Sequence, residues 1–219
     1  MMKIEIRFFR RYILIAGILW LAVITGCGTT QPPQFYMLTS IENINDNNIS
    51  STSNLIEKRI GLGPIDFPRY LDRSAIVVRL SDSEISINEA HRWAEPLENN
   101  FTQVLLGNLR VLSSNIVLFP SRNIKDIDYQ VLIDVFRFDA DIKNNVVLST
   151  QWTIRRKYDG TNLYSQKSLI TEQAENNSYA AFVKKQSELI KKLSYEIANK
   201  LEEVSAKDKS SLIKKSLSN

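Results

Sequence analysis

Apolar and polar positions alternate with a period of two through the second half of the chain. Tyr129, Val131, Ile133 and Val135 fall on one face of a strand, and Leu132, Phe136 and Phe138 on the other. Val146, Leu148, Trp152 and Ile154 alternate with Ser149, Gln151 and Thr153, after a turn at Lys143-Asn144-Asn145. A third strand over residues 163–171 follows the turn Tyr158-Asp159-Gly160, and the three read as an antiparallel meander. Shorter runs upstream predict strands at residues 35–38, 59–67 and 116–119, with a hairpin at 75–80 and 84–87 joined by Ser81-Asp82-Ser83. The period changes twice. Leu97, Phe101, Val104, Leu105 and Leu112 recur at helical spacing behind Pro96, whose missing N–H suits a first turn. Phe182, Gln186, Leu189, Leu193, Ile197, Leu201 and Val204 form a second stripe, predicting a helix over 179–204 with Ser178 as its N-cap. Together these elements predict a single α/β (α+β) domain, a mixed, largely antiparallel sheet with two main helices packed on it.

Lys184, Lys185, Lys191, Lys192 and Lys200 lie largely off the second stripe. An amphipathic helix on a sheet accounts for this pattern. A membrane-surface helix is the alternative, although Phe182 is its only interfacial aromatic. Residues 40–54 are rich in Asn and Ser and read as a flexible connection. Residues 205–219 are Lys- and Ser-rich, with little to bury, and read as a fraying tail.

The N-terminus carries a different signal. Lys3, Arg7, Arg10 and Arg11 precede an uncharged run of 13 residues, Tyr12 to Ile24. A basic segment before a short apolar one is the pattern of an export signal, and the run falls short of the roughly 20 residues that span a bilayer. It ends Ile24-Thr25-Gly26-Cys27, small residues before the only cysteine, which resembles a bacterial lipobox. The expected organisation is a signal peptide (1–26), a lipidated tether (27–34), a folded domain (35–204) and the tail. Gly28, where an aspartate would signal inner-membrane retention, favours the outer membrane.

Composition narrows the function. The 219 residues are 43% hydrophobic and 24% charged, as in ordinary globular proteins. One cysteine excludes an internal disulfide framework, and one histidine excludes a multi-His metal site. The formal charge of +4 suggests a nucleic-acid partner only until the chain is divided. Without residues 1–26 it holds 24 basic and 23 acidic residues, and the tail keeps most of the excess, so no nucleic-acid face is expected.

No catalytic constellation stands out: G-x-S-x-G, H-E-x-x-H and C-x-x-C are absent from the sequence. His91 reads as a surface or packing residue. Asp66, Asp72, Asp134 and Asp139 are scattered among apolar neighbours, which leaves a carboxylate pair open. Gly61 and Gly63 precede Pro64 rather than a helix, so close strand packing fits them better than a phosphate loop. Arg155-Arg156-Lys157 reads as a solvated strand edge guarding against strand addition.

Several segments together resemble a family. Gly61-Leu62-Gly63-Pro64 leads into Phe67-Pro68-Arg69-Tyr70-Leu71-Asp72-Arg73. Ile76-Val77-Val78-Arg79-Leu80 and Arg92-Trp93-Ala94-Glu95-Pro96-Leu97 follow, then Arg137-Phe138-Asp139, Gln151-Trp152 and Ser178-Tyr179. This order looks like the PqiC family of ABC-type transport auxiliary lipoproteins. The resemblance implies a non-enzymatic outer-membrane lipoprotein facing the periplasm, with no cofactor beyond covalent lipid on Cys27. Its partners would be an MCE-domain protein and that protein's inner-membrane transport partners, in a system that moves lipid and maintains envelope integrity. A homo-oligomeric docking collar is conceivable. Tyr70, Leu71, Asp72, Arg73, Arg92 and Trp93 are the candidate partner-docking or structural motif. The alternative is a lipid- or lipopolysaccharide-binding carrier acting without an MCE partner, with acyl chains held between sheet and helix.

Overall fold

Long alternating strands form the centre of the sheet because they alone have two partners along most of their length. In the computed structural model, residues 32–41, 58–113, 115–120 and 126–217 are described, with side chains to residue 210. The expected signal peptide, Cys27 and most of the 40–54 connection lie outside them. The chain divides into two units, 1–32 and 33–219, and every element below belongs to the second.

The strands are β1 (Gln34–Tyr36), β2 (Ile60–Asp66), β3 (Ala75–Arg79), β4 (Ile85–Trp93), β5 (Ile116–Leu118), β6 (Tyr129–Asp141), β7 (Asn145–Arg156) and β8 (Asn162–Gln173). The helices are α1 (Leu97–Leu112) and α2 (Tyr179–Leu217). β6, β7 and β8 form the expected antiparallel meander. The other edge of β6 is shared end to end. Its first half pairs in parallel with β2 and its last residues pair in parallel with β3. β4 lies antiparallel to β3, while β1 and β5 add parallel edges to β4 and β2. The fold is an open, mixed eight-stranded α+β sheet with two helices.

Both helices pack against the sheet and each other. All seven residues of the expected α2 stripe are buried, and Ser178 Oγ accepts the Ala181 N–H at 3.2 Å. Phe101 of α1 meets Phe138 of β6 edge-on at 5.3 Å. Strict alternation puts Phe138 on the opposite face from Val135. A β-bulge between Val135 and Arg137 inserts one residue, so Phe136 keeps the outer face while Phe138 and Ala140 are carried inward.

Two further expectations are corrected. β4 runs to Trp93, because β1 supplies the ladder that its polar second half does not advertise. The chain past Val204 is not a fraying tail: α2 continues to Leu217, and Asp208 is buried. Arg156 donates to the Asp208 carboxylate and, at 2.9 Å, to Asp159, while Tyr129 OH donates to Asp208 at 2.9 Å. Arg156 is therefore not a solvated edge. It lies on an inner strand and ties the far turns of α2 to the start of β6.

The paired glycines serve close packing, as expected. A Cβ on Gly63 would lie 2.4 Å from the Phe119 carbonyl oxygen, and its φ of +112° is left-handed. Gly63→Ala is expected to cost about 2–3 kcal/mol from strain and clash together, read as a lower urea midpoint with an unchanged slope.

Candidate functional site

The detour between β2 and β3 builds the site. Both strands run beside β6, and residues 67–74 leave the sheet between them. Pro68, at φ −69°, enters a single 3-10 turn at Arg69–Leu71. The Leu71 and Asp72 N–H groups donate to the carbonyls of Pro68 and Arg69 at 3.0 and 3.1 Å. Neighbouring side chains on so tight a turn diverge. Leu71 is buried in the core, and Tyr70 reaches back to β6.

Tyr70 meets a buried carboxylate. Asp139 has no exposed surface and accepts hydrogen bonds from Tyr70 OH at 2.9 Å, Arg79 Nη2 at 2.9 Å and Arg137 Nε at 2.7 Å. The Arg79 guanidinium also lies 5.7 Å above the Tyr70 ring. Burial, and then the Asp139 charge, push the Tyr70 phenol up to about 12. The hydrogen bond to Asp139 raises Arg79 further. With three donors converging on it, Asp139 fixes the turn in place.

On its other side the turn borders a groove of about 400 Å³. Phe67, Leu71, Asp72 and Arg73 line one wall, and Trp93 and Leu97 the other. Trp93 is held by its N–H, which donates to the Ser74 carbonyl at 2.7 Å, and Arg73 Nε donates to the Tyr70 carbonyl at 2.9 Å. Glu95 and Glu98 stand at the rim, and Glu95 Oε1 accepts from Asn100 Nδ2 at 2.8 Å. Apolar walls beneath a mixed-charge rim suit non-covalent binding of an extended or helical segment.

The structure brings Leu71, Asp72, Arg73 and Trp93 together from two distant stretches of sequence. It separates Tyr70, which serves the Asp139 cluster, and Arg92. Successive strand residues face opposite ways, so Arg92 points away from Trp93 and pairs with Glu89 at 2.8 Å. His91 is a packing residue: it stacks on Tyr179 at 3.9 Å and shares a 2.8 Å hydrogen bond with Tyr36 OH. Sequence reasoning did not single out Asp139 as a hub. Its signal was an acidic residue flanked by apolar ones in the longest strand, with arginines at 79 and 137. It also missed Asn100 and Asn108, spaced at i and i+8 with Val104 between them, whose side chains accept the Leu38 and Ile41 N–H groups at 2.6 and 2.8 Å.

Phe101, Phe138, Trp152, Leu189 and Ile190 are all fully buried between the sheet and the helices. Among the described residues no cluster of three His, Cys, Asp or Glu side chains could hold a metal ion. Among the same residues no helix is long and apolar enough to cross a membrane.

Known structures share this fold. Protein XCC0632 from Xanthomonas campestris is similar with a TM-score of 0.67 at 16% identity, over 81% of this chain and 99% of that one. An uncharacterized protein gives 0.63 at 19% identity, over 78% and 99%. No curated protein matches the chain. A family model described as "ABC-type transport auxiliary lipoprotein component" matches residues 37–198, which include the turn, the groove and both helix starts. The chain therefore belongs to the family of ABC-type transport auxiliary lipoprotein components.

Proposed function

We propose that the protein is held at the periplasmic face of the outer membrane by lipid on Cys27. There it serves, without catalysis, as the auxiliary subunit of an MCE-type lipid transport system that supports envelope integrity. Family membership supports the transport role, and the Ile24-Thr25-Gly26-Cys27 segment supports the anchor. The PqiC-like order of motifs supports the MCE partner. One observation carries the docking part. Leu71, Asp72 and Arg73 meet Trp93 and Leu97 across a single groove, although they stand at least 20 positions apart in the chain. Asp72 and Arg73 are exposed at the rim, so their charges act on specificity more than on the fold.

Crosslinked affinity isolation from intact cells, followed by protein identification, tests the proposal. The native chain is expected to recover an MCE-domain protein. The double substitution Asp72→Lys, Arg73→Glu inverts the rim and is expected to lower that recovery at least about tenfold, with an unfolding midpoint near the native one. Equal recovery by both chains would remove the groove from the interface. Absence of an MCE-domain protein from the native isolate would overturn the proposed system.

A further inference from the structure

The strand nearest the tether turns apolar side chains outward. Phe35 and Met37 are 62% and 55% exposed, whereas Leu38 is buried. An edge strand covered on one face normally alternates apolar with polar residues. Here both sets are apolar. Phe35 pairs in register with Arg92, on the sheet face turned away from the helices, and Tyr36 pairs with Trp93 on the helix side.

This segment is fixed in place. The Leu38, Thr39 and Ile41 N–H groups donate to Asn100 Oδ1, Ser187 Oγ and Asn108 Oδ1 at 2.6, 3.1 and 2.8 Å. Tyr36 is held through its hydroxyl to His91, which stacks on Tyr179 of α2. Both helices thus clamp the chain immediately after β1. Phe35, on β1, and Met37, just past its end, are displayed on a clamped segment.

We infer that Phe35 and Met37 insert into the surface of the membrane that carries the Cys27 lipid, forming a second contact that orients the anchored domain. The inference rests on the proposed lipidation of Cys27. Chain length selects the occupant. Phe35 follows Cys27 by eight residues, and a fully extended chain of that length spans at most about 28 Å. Whatever path the tether takes, Phe35 stays within that distance of the lipid-bearing residue. Two apolar side chains are too few to bind a bilayer from solution. Tethering converts their insertion into an intramolecular step at an effective concentration in roughly the millimolar range, where a weak contact suffices. An aromatic ring is also suited to the headgroup level, where one end is apolar and its surroundings are wet. The other exposed large apolar side chains among the described residues begin only at Leu80, much further along the chain from Cys27. Leu169, 72% exposed on β8, lies five strands away along the sheet, about 24 Å at ordinary strand spacing.

The test places a tryptophan at either site in the full-length, lipidated protein. Phe35→Trp and Leu169→Trp proteins are reconstituted into phosphatidylethanolamine–phosphatidylglycerol vesicles, with and without bromine on the acyl chains. Flotation reports anchoring, and quenching reports insertion. Both variants are expected to float with the vesicles. The fluorescence added by Phe35→Trp is expected to fall about twofold with bromine, because interfacial apolar faces lie about 5–10 Å into the lipid boundary. That added by Leu169→Trp is expected to be unchanged. Flotation without quenching at position 35 would overturn the inference and leave the anchor standing. An emission shift at position 35 that follows protein concentration rather than bromine would instead assign the strand to contact between copies. Failure of either variant to float would overturn the anchor, and the inference with it.

Discussion

Replacing Asp139 by alanine lowers the unfolding midpoint by about 6–12 °C, corresponding to about 3 kcal/mol for a domain of this size. The carboxylate is wholly buried and bonded to two guanidinium groups and a phenol. Its removal leaves Arg79 and Arg137 close together without the anion that compensated them. Both arginines keep some exposure, at 19% and 29% of their side chains, so water repays part of the loss and the cost lies at the low end for a broken buried pair. A second readout separates this cause from generic loosening. The Tyr70 phenol is held up to about 12 by burial and by the Asp139 charge, so Asp139→Ala brings its titration back toward 10. Absorbance titration of the variant against Tyr70→Phe isolates that change. Tyr70→Phe itself removes one hydrogen bond and costs about 1 kcal/mol. If Asp139→Ala unfolds at the native temperature, the cluster does not hold the turn. Because the turn forms one wall of the groove, the same variant is expected to lose partner recovery along with stability.

The second large effect lies where the sequence pattern predicted nothing to hold. Asp208→Ala is expected to cost about 2–3 kcal/mol, since Arg156 loses one of its two carboxylates and Tyr129 loses its acceptor. Truncation after Ser205 is expected to cost at least as much, although a frayed tail would come off without effect. The pH dependence has a definite sign on each side. The hydrogen bond from Arg156 holds Asp208 below the usual carboxylate range. Its stabilisation is present above the unfolded value near 4 and is lost as pH falls through the lower folded value. Tyr129 is raised to about 12, mainly by burial and then by its bond to Asp208. Its contribution is complete below about 10, and it fades as pH rises toward 12. Thermal unfolding of the native protein across pH is therefore expected to show both limbs. Asp208→Ala should make the acid one shallower, and Tyr129→Phe the alkaline one, where Tyr70 keeps its own share. An unchanged acid limb in Asp208→Ala would show that other carboxylates set it.

Much of this architecture was legible from residue type alone. The alternation through Val131, Ile133 and Val135, and through Leu148, Trp152 and Ile154, marked two central strands, because a strand buried on one face has little choice of residue there. The α2 stripe and the Ser178 cap were equally direct. What escaped was set by partners distant in sequence. The polar second half of β4 is strand only because β3 lies along one side of it and β1 along the other. Phe138 faces the core only because of a one-residue bulge. Arg156 and Asp208 looked like solvated charges, yet Asp208 is buried and Arg156 half-buried, and they pair across 52 residues of chain. The groove follows the same rule. Its residues stood in two recognisable segments, but their meeting depends on β2 and β3 sharing one edge of β6.

The sequence by itself determined the periodic elements, the mixed α+β class and the family, because local pattern and residue order carry those directly. Tertiary structure alone decided which motif residues face the groove, which face Asp139, and where α2 ends. Each of those outcomes depends on burial and charge pairing between segments that no local window contains.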